Sequence, residues 1–246
     1  MMWILAALLG GAPAWGQAPP EPTIEELLNA TDDASRGESS IAVIRMEIKT
    51  SRYERSMKMK AWSKGTERSL IKILEPAKDA GLTTLRVGDN LWNYLPKVDR
   101  TMKIPSGLMG GSWMGSHFTN DDLVRDSRLS EDFTYELTQR PGEGGDNYIV
   151  SCVPKPDAPV VWGKVVAEIR PDKVPVKVDY YDDDGTLVRT MSYDDVREVN
   201  GQLSPRIFQL TPHDKPGEYT RMTFEELQLG ADIPDEMFNL QALKKQ

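Results

Sequence analysis

The chain has 246 residues, a formal net charge of −8 at pH 7 and a single cysteine, Cys152. The acidic balance argues against nucleic acid as a partner, because phosphate binding requires a basic surface. It also argues against simple electrostatic adhesion to anionic lipid. One cysteine excludes an intrachain disulfide, so the fold must rely on its apolar core.

The first 16 residues have the composition of a cleavable export signal. An uncharged apolar run covers 1–9, and Ala14 and Gly16 stand three and one positions before Gln17, the spacing that signal peptidase accepts. The run is shorter than the roughly 20 residues of a membrane span, and no cysteine follows it for lipid attachment. We therefore predict cleavage near Gly16/Gln17 and a soluble mature chain that is exported from the cytoplasm.

A helix and then a long β region follow the Pro-rich leader at 17–22. Thr23 and Glu26 form a capping box, which predicts a short helix ending near Ala34. From Ser40 the apolar residues alternate with period 2, the period of a strand. Evenly spaced turns join about eleven such segments, which predicts an antiparallel meander that curls into a barrel or sandwich. The even spacing also predicts a single domain over 23–246.

The turn residues mark two hairpins in the second half of the chain. Asp182 to Gly185 and the pair Asn200-Gly201 have the residue types that tight turns favour. At the C-terminus, 233–240 is predicted to turn back so that Phe238 and Leu240 pack on the sheet.

Residues 96–131 interrupt the meander. The segment 106–116 is rich in Gly, Met and Trp, a composition that favours a flexible lid over an apolar cavity. Thr119 then predicts a helix start with acids in its first turn. Methionine and aromatic side chains are frequent in the first half of the chain. The candidate cavity lining consists of Met57, Met59, Trp92, Tyr94, Met109, Trp113, Met114 and Phe118.

The sequence offers few residues that could form a catalytic or metal site. His117 and His213 lie far apart, without further His or Cys ligands at metal spacing. Ser69 and Lys72 match a Ser-x-x-Lys pattern, but in a strand their side chains point to opposite faces. The Asp run at 182–184 lacks the spacing of a calcium loop. We therefore expect no cofactor, no metal and no enzymatic activity, and we expect Cys152 to be a small buried hydrophobe.

Three stretches resemble a known family. They are Asn90-Leu91-Trp92-Asn93-Tyr94-Leu95-Pro96, Met114-Gly115-Ser116-His117-Phe118-Thr119-Asn120-Asp121-Asp122-Leu123 and Ile233-Pro234-Asp235-Glu236-Met237-Phe238. Together they are similar to the outer membrane lipoprotein-sorting protein family of Gram-negative bacteria, a relative of the LolA/LolB-like periplasmic lipoprotein carriers. The resemblance covers about residues 23–243.

This resemblance implies a mainly β (α+β) fold, in which a single curved antiparallel sheet forms an unclosed barrel with short covering helices. It also implies a periplasmic carrier that binds the acyl chains of lipoproteins, or lipid, in an apolar cavity for transfer towards the outer membrane. An inner-membrane transporter or exporter is the partner that it implies. The alternative is a non-catalytic accessory domain that binds a membrane transporter or envelope protein through an edge strand or the 106–118 loop.

Overall fold

The computed structural model describes residues 20–34, 37–124, 128–158 and 160–245, so the predicted signal at 1–16 lies outside the described residues. The helices are α1 (Ile24–Asp33), α2 (Asn120–Val124), α3 (Leu129–Asp132) and α4 (Ala242–Lys245), with 3-10 turns at Pro96–Val98, Ser106–Leu108 and Asp235–Phe238. The strands are β1 (Ser39–Lys49), β2 (Glu54–Lys64), β3 (Arg68–Glu75), β4 (Thr83–Val87), β5 (Asn90–Leu95), β6 (Arg100–Lys103), β7 (Phe133–Gln139), β8 (Tyr148–Pro154), β9 (Lys164–Ile169), β10 (Pro175–Tyr181), β11 (Leu187–Val199), β12 (Gln202–Pro212) and β13 (Tyr219–Leu229).

The strands form one antiparallel sheet in the order β6-β5-β4-β3-β2-β1-β13-β12-β11-β10-β9-β8-β7. Strands that are neighbours in sequence pair with each other, except β6 and β7, and the pairing of β1 with β13 joins the two halves of the meander. Strands β6 and β7 stand at opposite edges, so the sheet is not closed into a barrel, as predicted.

The predicted count of about eleven strands is wrong, since the described residues form a sheet of thirteen strands. Strand β6 lies within 96–131, the segment that the sequence predicts to interrupt the meander. It has only four residues, none of them buried, and it stands between Pro96 and Pro105. A short polar edge strand carries too little alternation to be detected from sequence.

The two faces of the sheet bury different side chains. Residues opposite each other in an antiparallel pair point to the same side. Across β2 to β5, one row of paired residues consists of Trp62, Leu70, Leu85 and Trp92. The adjacent row consists of Ala61, Ile71, Thr84 and Asn93. We call the face with Ala61 and Ile71 the inner face and the face with Trp62 and Trp92 the outer face.

Helix α1 covers the β7–β10 end of the inner face. The capping box is confirmed: the Glu26 amide donates to Thr23 Oγ1 at 3.2 Å, and the Thr23 amide donates to the Glu26 carboxylate at 3.1 Å. Leu27 and Leu28 are fully buried against Val150, and Cys152 is buried in the same cluster. The predicted apolar face of β1 and β2 is also confirmed, because Met46, Ile48, Met57 and Met59 are all buried.

The outer face is covered by the C-terminal segment. Ile233, Phe238 and Leu243 are buried in a cluster with Trp62 and Leu70. The prediction that Phe238 packs on the sheet is therefore confirmed. The same prediction for Leu240 is wrong, since Leu240 is 49% exposed. It lies between the last 3-10 turn and α4 and points away from the cluster that its neighbours fill.

Both predicted hairpin turns are confirmed. Asn200 and Gly201 have φ values of 52° and 80° between β11 and β12, the left-handed geometry that a two-residue hairpin requires. Between β10 and β11, the carboxylate of Asp182 accepts a hydrogen bond from the Thr186 amide at 2.8 Å, and Gly185 has a φ of 78°.

Candidate functional site

A cavity of about 470 Å³ lies between the inner face and the elements that cover it. Helices α1, α2 and α3 and the loop before α2 form one wall, and β1–β3 and β9–β13 form the other. Its volume falls in the range of about 300–1,000 Å³ that is usual for small-molecule sites. The apolar part of its lining includes Ile44, Met59, Ile71, Trp113, Phe118, Leu129, Val165, Val178, Met191, Phe208 and Met222.

The eight residues that the sequence suggested as cavity lining differ in where the structure places them. Met59, Trp113 and Phe118 line the cavity. Met57 belongs to the core cluster that contains Met59 and Trp113, and Met114 packs against that cluster, but neither residue lines the cavity.

The other three candidates lie elsewhere. Trp92 and Tyr94 pack against the outer-face cluster, on the far side of the sheet from the cavity. Met109 is half-buried outside the lining. That the cavity residues bind lipid stays a prediction.

The Gly-rich loop is held in place by side chains from distant strands. The Trp113 indole donates to Thr84 Oγ1 at 3.3 Å, and Trp113 is 3% exposed. The Arg55 guanidinium donates to the carbonyl of Met114 at 3.0 Å, and the Tyr53 hydroxyl donates to the carbonyl of Gly115. Gly115 has a φ of 76°, so glycine here supplies a left-handed turn.

A buried ion pair joins α2 to β11 at the wall of the cavity. The Arg189 guanidinium donates to both oxygens of Asp122, at 2.9 and 2.7 Å. Burial acts to raise the pKa of Asp122, but the two bonds from Arg189 hold that pKa below its usual range. As predicted, Thr119 caps the helix, since its Oγ1 accepts from the Asp122 amide at 3.0 Å.

Two aromatic rings enclose the same arginine. The Arg189 Cζ lies 4.4 Å from the centre of the Trp162 ring and 4.8 Å from that of Tyr180. Arginine over an aromatic face is attracted by the ring quadrupole. Burial raises the pKa of Tyr180 to about 12, so its hydroxyl stays neutral at physiological pH. Arg189 and Asp122 therefore form a neutralised ion pair in the wall of the cavity, which Asp32 and Asp121 also line.

Sequence reasoning missed a second polar cluster beside the loop. His117 Nε2 lies 3.0 Å from the Glu218 carboxylate, and His117 Nδ1 lies 2.8 Å from Thr220 Oγ1. The Ser51 amide also donates to Glu218, at 2.7 Å. The His117 hydrogen bond, followed by the Ser51 amide, lowers the pKa of Glu218 to about 2. No local motif could reveal this contact, because 101 residues separate His117 from Glu218.

Cys152 is buried, as predicted, and burial raises the pKa of its thiol to about 12. Within the described ranges, His, Cys, Asp and Glu side chains form no cluster with the makeup of a metal site. None of the helices in the part of the chain that the structure describes has both the length and the apolar character of a membrane span.

Comparison with known proteins assigns the chain. Residues 65–245 match a protein family whose description is an uncharacterized protein. The chain belongs to this family. No curated protein matches the chain significantly.

Solved structures show the fold. A domain from Vibrio parahaemolyticus described as an outer membrane lipoprotein-sorting protein domain is 22% identical, with a TM-score of 0.74 over 89% of this chain and 97% of its own. A DUF1329 family protein from Desulfovibrio piger is 22% identical, with a TM-score of 0.77 over 89% and 97%. A LolA superfamily protein from Nitrosomonas europaea is 21% identical, with a TM-score of 0.70 over 90% and 99%. The resemblance to lipoprotein-sorting proteins is thus confirmed in the fold, which is LolA-like.

Proposed function

We propose that this protein is a non-catalytic carrier that binds acyl chains of lipoproteins or lipids in its inner cavity for transfer towards the outer membrane. The observation that carries the proposal is the cavity of about 470 Å³ on the inner face of a LolA-like sheet. Met59, Met191 and Met222 are among its lining residues, and methionine side chains adapt to ligands of varied shape.

The physical reason for a carrier is the cost of exposing acyl chains to water. Each exposed methylene costs about 0.8 kcal/mol relative to burial, so a long chain does not leave a membrane unaided. A cavity lined by Met59, Ile71 and Met222 offers an apolar environment of the kind the chain leaves. Transfer of this kind needs no covalent step.

The location follows from the same proposal. We propose that 1–16 is removed by signal peptidase near Gly16/Gln17 and that 23–246 works as one periplasmic domain. The description of the Vibrio parahaemolyticus relative as an outer membrane lipoprotein-sorting protein supports this location. An inner-membrane transporter or exporter would then load the carrier.

Mass spectrometry of the protein purified from the periplasm tests the proposal. We expect co-purified acyl lipids or acylated peptides, and we expect Ile71→Trp to reduce their amount because the larger ring fills the cavity. Lys72→Trp is the matched control, since Lys72 is the next residue of β3 and points to the outer face. Protein that is always empty and never takes up an acyl probe would contradict the proposal and favour the accessory-domain alternative.

A further inference from the structure

A second cavity of about 440 Å³ adjoins the apolar one. Both cavities are lined by Gly110, Phe118, Thr119, Trp162 and Arg189, so these residues form their common wall. We call the second cavity the polar annex, because hydroxyl and charged side chains dominate the rest of its lining, among them Thr50, Ser112, His117, Asp214, Lys215 and Glu218. An apolar and a polar compartment side by side match the two ends of an amphiphile.

Arg189 stands in the common wall, and one of its three guanidinium nitrogens has no hydrogen-bond partner among the described residues. Its two terminal nitrogens bind the carboxylate of Asp122 end-on. Its Nε is buried and has no hydrogen-bond partner among the described residues. Buried donors are nearly always paired in native proteins. An acceptor atom carried by a ligand at the junction of the two cavities would complete this hydrogen bond once the rings of Trp162 and Tyr180 shift to expose Nε.

The charges around the annex favour an uncharged acceptor. Arg189 and Lys215 supply two positive charges, and Asp214 and Glu218 supply two negative ones. Asp122 adds a further negative charge directly on Arg189. An anionic headgroup therefore gains no net attraction here to offset its large loss of hydration, whereas an uncharged carbonyl oxygen accepts the same hydrogen bond at a smaller cost.

We propose that the polar annex receives the ester or amide carbonyl end of an acylated ligand, with Arg189 as the donor, while the acyl chain lies in the apolar cavity. This inference rests on the proposed acyl-chain binding and adds the polar chemistry of the ligand. Ester carbonyls belong to glycerolipids, and amide carbonyls belong to N-acylated termini of lipoproteins. The same annex chemistry serves both, so the probes must separate them.

Isothermal titration with three probes of equal chain length tests the proposal. The probes are a hexadecanoyl monoacylglycerol, an uncharged N-hexadecanoyl dipeptide amide and hexadecanoate. We expect one or both uncharged probes to bind about tenfold more tightly than hexadecanoate, because the ionised carboxylate loses more hydration on entering the annex. A preference for the ester assigns a glycerolipid, and a preference for the amide assigns a lipoprotein terminus.

Two variants test the role of the annex. Arg189→Lys keeps a positive charge opposite Asp122 but lacks the Nε donor, and we expect it to weaken the preferred uncharged probe about tenfold, the size of one hydrogen bond to a charged donor. Lys215→Glu changes an exposed residue of the annex, and we expect it to weaken hexadecanoate alone. Thermal melting shows whether each variant is folded, and Lys215→Glu keeps the test valid if Arg189→Lys is not.

The outcomes separate the two proposals. Ile71→Trp should weaken all three probes equally, because it fills the apolar cavity. Equal binding of the three probes by the unmodified protein, an unchanged affinity for the uncharged probes in Arg189→Lys, or equal weakening of all three probes by Lys215→Glu would overturn the annex proposal and leave the carrier proposal standing. Failure of the unmodified protein to bind any probe would overturn both.

Discussion

The imidazole of His117 and the carboxylate of Glu218 lie 3.0 Å apart and join the loop over the cavity to the segment that leads into β13. The Ser51 amide binds the same carboxylate. These bonds are strongest while Glu218 is ionised, because a carboxylate accepts hydrogen bonds more strongly than a neutral carboxyl group. They couple the position of the loop to the protonation of one side chain.

Acid should therefore weaken the folded protein through Glu218. Its pKa is lowered in the folded state from 4.5 to about 2, so its stabilising contribution is present above pH 4.5 and is lost as the pH falls towards 2. We expect the difference in Tm between the unmodified protein and Glu218→Gln to shrink over that interval. Glu226→Gln, at an exposed position of β13, should show no such change, and a difference that is constant with pH would contradict the prediction.

The Asp122–Arg189 pair should show strong coupling. Asp122→Ala leaves the mostly buried Arg189 without its partner, and we expect a loss of about 3–5 kcal/mol in the free energy of unfolding. The double variant with Arg189→Met should lose less than the sum of the single losses. Urea unfolding measures all three variants. Strictly additive losses would show that the two side chains do not depend on each other.

The two faces of the sheet should differ in ligand binding. Trp113→Ala removes a buried side chain from the cavity wall and should cost about 3–5 kcal/mol of stability together with a changed affinity for an acyl probe. Trp92→Ala acts on the outer face and should leave that affinity unchanged. Fluorescence titration of the folded variants measures both affinities, and equal effects would contradict a binding site on the inner face.

Cys152 should be unreactive towards thiol reagents in the folded protein. Its thiol is fully buried, and burial raises its pKa to about 12, so neither access nor thiolate is available at pH 8. We expect a thiol reagent to react at pH 8 only at the rate of unfolding, and at once in denaturant. Rapid labelling without denaturant would show that the α1 end of the core opens readily.

Much of the local structure could be predicted from sequence because its causes are local. The capping box at Thr23 and Glu26, the turn at Asn200 and Gly201 and the alternation of β1 all depend on residues within a few positions of each other. The antiparallel meander followed from the even spacing of such elements, whereas the single unclosed sheet was implied by the family resemblance. Strand β6 was missed because four residues at a sheet edge need support from β5 that the sequence does not reveal.

The site was only partly predictable, because composition does not say which face a side chain joins. Trp92 is as apolar as Trp113, yet the register of β5 against β4 places it opposite Leu85 on the outer face. Trp113 reaches the inner face through the turn at Gly115 and its bond to Thr84. A one-residue change of register would exchange the two faces.

The amino-acid order thus specifies the helix cap and the hairpins, since these depend on neighbours along the backbone. It also sets the number of methionine and aromatic side chains that are available to line a cavity. The cavity and its polar rim arise from folding at long range. The pairing of β1 with β13 joins the two halves of the sheet, and contacts between those halves and the loop bring Asp122 to Arg189 and His117 to Glu218. Such contacts form between residues far apart in sequence, so no local pattern encodes them.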